Sequence, residues 1–181
     1  SIPVLDAKAQ ATDEAEVVEL VLARLSVMKE VAAFKYGNDL PVEELAREAI
    51  VLDKSREKAA ALGLDGASIL PFFEQQIEAA KAIQNCWMTR WRNGSHKTIR
   101  FPRDLQTELR PQLIEIGARI NESLAATLAS EKNLDDTRLA EARSLLSVDC
   151  LPSETGDAVI ESLATGQAAP PYPPALVQWI G

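Results

Sequence analysis

Apolar residues recur at intervals of three and four along most of the chain, and no useful window alternates with a period of two. That pattern predicts helices and no strand. Asp13, with Glu16 three residues on, has the form of a capping box. A first helix is expected from there to about Tyr36, where Gly37–Asn38 end it. Pro41 suits the first turn of a second helix reaching about Leu62, and Gly63 and Asp65–Gly66 then interrupt the chain. A third helix is expected over Ser68–Trp91, with Pro71 in its first turn. Asn93–Pro102 reads as a loop. Asp104 can cap a fourth helix to about Ala129, and Asn133 or Asp135 opens a fifth to about Ser147. After a break at Leu151–Pro152, two short helices are expected around Ser153–Ala164 and Pro174–Ile180. Helices joined by short loops pack as a bundle. The expected fold is therefore all-α: one domain over residues 1–181, with a bundle of five or more helices, its main body at about 13–130 and additional helices in 131–181.

Some polar residues fall where core residues belong. With Arg24 at zero on a helical wheel, Val17, Leu20, Met28, Val31 and Lys35 all lie within about 40°. Arg24 and Lys35 thus share the centre of the most apolar stripe of the first helix. Snorkelling near a helix end or an internal salt bridge is the plain explanation for either cation alone. Two on one stripe raise an anion site to equal standing. With Gln84 at zero on the third helix, Phe73, Ile77, Ala80, Met88 and Trp91 fall within about 40°. Gln84 is a carboxamide on a core face, and a buried amide needs partners. Cys86 lies about 200° away, off that face. Glu44, Arg47 and Glu48 on the second helix read by themselves as a solvated surface. Arg110 and Arg119 lie on the fourth helix, and Arg119, beside Ile116 and Ile120, would pass as an ordinary surface arginine.

Composition narrows the function. Apolar residues make up 46% of the 181, aromatics only 5%, and the formal charge is −8. An acidic protein lacks the basic face that nucleic acid or an anionic membrane needs, so neither is an expected partner. No apolar run approaches the roughly 20 residues of a membrane span, and no signal peptide is visible. His96 has no metal-spaced partner and neither cysteine lies in a CxxC, so a structural zinc site is not expected. Two buried free thiols are the plainer reading of Cys86 and Cys150; a disulfide between them is the alternative if the protein is exported.

The order and spacing Arg24-x10-Lys35-x11-Arg47-Glu48, followed by Gln84, resemble those of the all-helical (AroQ-type) chorismate mutases. VAAFKYGNDLPVEELAR, Val31 to Arg47, is similar to the end of that family's first helix and the start of its second. FFEQQIEAAKAIQNCW, Phe72 to Trp87, resembles the helix bearing its ether-contacting Gln or Glu. The likeness is strong over Ala15–Trp91 and continues weakly to about Ala129. The chain resembles the longer exported subclass, in which one protomer supplies the whole pocket, rather than the short intracellular enzymes of roughly half this length. DLQTELRPQLIEIGARINESL, Asp104 to Leu124, looks like that subclass's later helix, with Arg119 in the place of its extra arginine.

The resemblance implies a periplasmic or secreted isomerase that converts chorismate to prephenate without metal or cofactor. It allows a homodimer with a complete site in each protomer. It implies that Arg24, Arg47 and Arg119 grip the substrate's two carboxylates. Lys35 would reach a carboxylate and the ether oxygen. Glu48 would accept from the ring hydroxyl with Glu44 near it, and Gln84 would donate to the ether oxygen. Lys35 and Gln84 would be the catalytic pair. Ala80 departs from the Ser or Thr frequent in relatives, and Glu44 from the Asp of the short enzymes. Two rival readings are an isochorismate pyruvate lyase on the same fold and a non-catalytic helical bundle that binds a partner or a small anion.

Overall fold

The computed structural model describes residues 13–130 and 134–170. Among them the regular elements are helices, in the order α1 (Asp13–Ser26), α2 (Met28–Gly37), α3 (Leu45–Ala61), α4 (Leu70–Arg92), α5 (Arg110–Ala129), α6 (Asp136–Leu145) and α7 (Ser153–Ser162). The extended pairing within this region is a single isolated bridge between Leu64 and Ala168. The expected helix at Pro174–Ile180 lies outside the described residues.

The predicted first helix is two. Val27 separates α1 from α2, but its backbone stays helical (φ −77°, ψ −17°). Its N–H reaches only three residues back, to the carbonyl oxygen of Arg24 at 3.3 Å. The turn tightens without reversing the chain, so Arg24 and Lys35 remain on the same side. The predicted second helix starts four residues late, at Leu45. Pro41–Glu44 instead forms a non-helical strap, because Lys35 Nζ takes the Val42 carbonyl oxygen at 3.0 Å. Glu44 then stands as the residue before the helix, and its carbonyl oxygen accepts from the Glu48 N–H at 2.9 Å.

The fourth predicted helix also divides. Asp104 caps it as expected, its carboxylate accepting from the Gln106 and Thr107 N–H groups. Leu105–Leu109 then forms a wide π-type turn, with the Leu109 N–H bonded to the Asp104 carbonyl oxygen at 3.0 Å. The cause is Pro111, which has no N–H to give the carbonyl of Thr107. Regular α-helix begins at Arg110, with Pro111 in its first turn. Asp135 caps α6 by accepting from the Arg138 N–H at 3.0 Å.

The core joins Val17, Val21 and Leu25 of α1 to Phe72, Phe73 and Ile83 of α4 and Ile120 and Leu124 of α5. α1 packs most extensively on α5, α2 on α4, and α7 on the other side of α4. Arg138 clamps α6 to α1 through the buried Glu14 at 2.6 Å. Arg143 ties α6 to α7 through Asp157, and its guanidinium lies against Gly156. A Cβ at Gly156 would stand 2.7 Å from Arg143 Nη2, so a larger residue there would push the guanidinium aside.

Cys86 and Cys150 form a disulfide, which overturns the plainer reading of two buried thiols. Both are half-buried, and the bridge joins α4 to the turn between α6 and α7. A separation of 64 residues gives no local signal of pairing; only the packing of α7 on α4 brings the two together.

Candidate active site

A cavity of about 110 Å³ opens where α1, α2, α3 and α4 converge under the Pro41–Glu44 strap. Arg24, Lys35, Glu44, Arg47, Glu48 and Gln84 all line it, together with Gln76, Ala80 and Lys81. α1 and α2 supply Arg24 and Lys35 from one stripe, the strap supplies Glu44, and the first turn of α3 supplies Arg47 and Glu48. Gln84 comes from the middle of α4. A larger groove of about 600 Å³ adjoins it and shares the wall formed by Val42 and Lys81.

Lys35 is only 4% exposed. Its ammonium holds the Val42 carbonyl oxygen at 3.0 Å and Glu44 Oε2 at 3.1 Å. Arg110, the first residue of α5, reaches the same carboxylate, with Nη2 at 3.2 and 3.1 Å from its two oxygens. Burial pushes the Glu44 carboxyl up, but the Lys35 hydrogen bond and the charges of Lys35 and Arg110 outweigh it and leave it below the ordinary carboxylate value. Lys81 faces Glu48 and Glu43 at 3.5 Å each and Glu78 at 2.8 Å. The hydrogen bond to Glu78 leads the forces that raise its pKa, against a smaller opposing effect of burial.

Two cations remain uncompensated. Among the described residues neither Arg24 nor Arg47 has an acidic partner. Arg24 makes one long contact, from Nη1 to the neutral Gln76 Oε1 at 3.5 Å. Burial lowers its guanidinium pKa to about 10, which leaves it charged at neutral pH. Even a half-buried cation without a counter-ion is costly, and a bound anion relieves that cost. Gln84 is 5% exposed, and its amide is also underused. Nε2 touches only Met28 Sδ at 3.5 Å, and Oε1 is buried without a partner. Thioether sulfur is a weak acceptor, easily exchanged for a better one.

Arg119 is not brought to this site. It is exposed on α5 and does not line the cavity. Arg110 stands nearer, against Glu44, and the sequence reading gave it no role. Gln76 and Lys81 were also passed over. On the α4 wheel they lie about 80° and 60° from Gln84, outside the window that marks the stripe.

Charged and amide side chains thus turn inward around a small cavity of a helical bundle. Residues 7–85 match the family model described as chorismate mutase type II. A secreted chorismate mutase of Yersinia pestis is 35% identical over 123 residues, 68% of this chain and 65% of that protein. A monofunctional chorismate mutase of Enterobacter agglomerans is 33% identical over 105 residues, 58% of this chain and 57% of that one. The matches therefore span less than two thirds of the length of these relatives. The crystal structure of the secreted Yersinia pestis chorismate mutase superposes with a TM-score of 0.77 at 29% identity, covering 84% of this chain and 97% of that one. Over residues 7–85 the chain is similar to the type II chorismate mutases, and its fold is the all-helical one of the solved secreted chorismate mutase.

Proposed function

We propose that the cavity binds chorismate and rearranges it to prephenate. The observation that carries this reading is the pair Arg24 and Arg47, two guanidinium groups without acidic partners among the described residues that face one cavity with a buried lysine and an underused carboxamide. Two free forks suit two carboxylates, since guanidinium binds carboxylate bidentately and in one plane.

In this rearrangement a C–O bond breaks as a C–C bond forms within one molecule. It needs no nucleophile. It needs the enolpyruvyl chain held over the ring, which is a loss of entropy met on binding. It also needs stabilisation of the negative charge that grows on the ether oxygen. Arg24 and Arg47 hold the carboxylates. Lys35 keeps Glu44 and exchanges its Val42 partner for a carboxylate and the ether oxygen. Gln84 Nε2 leaves Met28 and donates to that oxygen. Glu48 accepts from the ring hydroxyl, and Glu44 orders Lys35. Of the two α5 arginines, Arg110 fits the place of the third cation, because its guanidinium already holds Glu44, which lines the cavity.

Arg24, Lys35, Arg47 and Gln84 meet within one protomer, which supports a complete site in each copy of any homodimer. Residues 1–181 are read as one domain. Export is the fitting location: disulfides persist in oxidising compartments, the Yersinia pestis relative is named secreted, and no described helix is long and apolar enough to cross a membrane. The test is to give the purified protein chorismate and follow loss of its absorbance with prephenate as the product. Release of pyruvate and salicylate from isochorismate would make it the lyase. No turnover of either would leave a binding bundle.

A further inference from the structure

We propose that Gln76 positions Arg24 for the substrate, as a neutral acceptor that fixes the direction of the guanidinium and leaves its charge free for a carboxylate. The inference rests on the reading of the cavity as a dicarboxylate site. Gln76 is 0% exposed, a degree of burial that an amide accepts only with partners on both ends. Its Nε2 donates to the Phe72 carbonyl oxygen at 3.2 Å, one turn back on α4. Its Oε1 accepts from Arg24 Nη1 at 3.5 Å. The two contacts demand the same amide orientation, because a backbone carbonyl only accepts and a guanidinium only donates. The Phe72 bond therefore aims Oε1 at Arg24.

On α5, Gly117 faces the same nitrogen. A Cβ there would lie 3.9 Å from Arg24 Nη1, so the guanidinium passes between a carboxamide and a residue with no side chain. That arrangement orders Arg24 without neutralising it. A carboxylate at 76 would hold it harder but would take the charge the substrate needs. The chemistry of the column Gln76–Ala80–Gln84 fits this division. Those residues lie at i, i+4 and i+8 on α4, and all three line the cavity. Ala80 supplies no polar group, so polar help on this side of the cavity falls to the amide one turn away.

The test uses prephenate, a dicarboxylate, titrated by calorimetry into the wild type and into Gln76→Glu and Gln76→Leu. Gln76→Glu has the same shape and pairs with Arg24. Its Kd should rise at least about tenfold at neutral pH, the scale of one charge-assisted contact, and fall back as acid protonates the new carboxyl. Gln76→Leu should raise Kd several-fold with no added pH dependence and with thermal stability kept. The charged groups sharing the cavity are Lys35 of α2, Glu44 of the strap, Arg47 and Glu48 of α3 and Lys81 of α4, so the wild-type pH profile is the reference. Should Gln76→Glu fail to fold, Gln76→Leu decides alone. A wild type that binds prephenate beside variants with unchanged Kd overturns the role of Gln76. Equal, pH-independent losses in both variants make Gln76 merely structural and also overturn it. A wild type that binds no prephenate overturns the dicarboxylate reading itself, and this inference with it.

Discussion

Removing the Cys86–Cys150 bridge should cost stability and leave the chemistry intact. The two residues are 64 apart in sequence. On the chain-entropy account, opening a loop of that size restores about 4 kcal/mol of freedom to the unfolded state at room temperature. At roughly 2–4 °C per kcal/mol for a chain of this size, the midpoint of thermal unfolding should drop by about 8–16 °C. The neighbouring Arg90–Asp149 pair, at 2.9 Å but well exposed on the aspartate side, offsets little of that. Cys150 also carries a left-handed backbone, φ 71°. Alanine there keeps the strain, whereas Cys150→Gly should recover roughly 1 kcal/mol of the loss. The assay is thermal circular dichroism of Cys86→Ala/Cys150→Ala and Cys86→Ala/Cys150→Gly against the oxidised wild type. The wild type in reductant serves as a third arm. Cys86 points away from Gln84, so kcat/KM at 25 °C should stay within about twofold. A midpoint shift below about 3 °C would refute the loop-closure reasoning. A large fall in kcat/KM of a folded variant would show that the bridge shapes the site.

Arg110→Ala should lower kcat/KM by about tenfold or more, the cost of losing a charge-assisted contact at the site wall, while Arg119→Ala should stay within about twofold. Steady-state rates for the two variants decide which α5 arginine serves the cavity, and the reverse order would restore Arg119. Gln84→Glu can donate to the ether oxygen only when protonated. Its kcat should therefore approach the wild-type value in acid and fall as pH rises, whereas the wild type stays nearly flat from about pH 5 to 8; a flat profile for the variant would remove Gln84 from the mechanism. The lowered pKa of Glu44 makes its ionised form a source of stability above the ordinary value of 4.5, lost as pH falls through the lowered folded value. Thermal midpoints of Glu44→Gln should thus lie below the wild type at neutral pH and converge with it in acid; a gap that persists there would mean the carboxylate charge is not what stabilises.

Much of the site was legible because burying a charge breaks a pattern. Lys35 interrupts an apolar stripe and Gln84 a core face, and each lies where helical phase put it. The helices themselves were legible for the same reason. Their ends were less so. Pro41 fits a helix start, but a tertiary bond from Lys35 to Val42 claims that stretch as a strap. Arg119 rests on the likeness of Asp104–Leu124 to the family's later helix, and nothing in that likeness points to Arg110. Pro111 and the π-type turn before it change where α5 begins, and Arg110 is thereby set against Glu44. Gln76 and Lys81 lie at the margins of the α4 stripe. Only a cavity curving around that helix brings them in. The disulfide had no local signal at all, since two cysteines far apart are paired by the docking of α7 rather than by any motif.

The central claim is that a buried cation on an apolar stripe stabilises the charge formed as chorismate rearranges. The measurement that tests it most directly is kcat/KM for chorismate in the wild type and in Lys35→Ala, with folding checked by circular dichroism. The account predicts a folded variant whose kcat/KM falls by at least about a hundredfold, the scale of losing one preorganised donor. A folded variant that keeps more than about half of the wild-type activity would contradict it, because a loss on that scale is what removing such a donor entails.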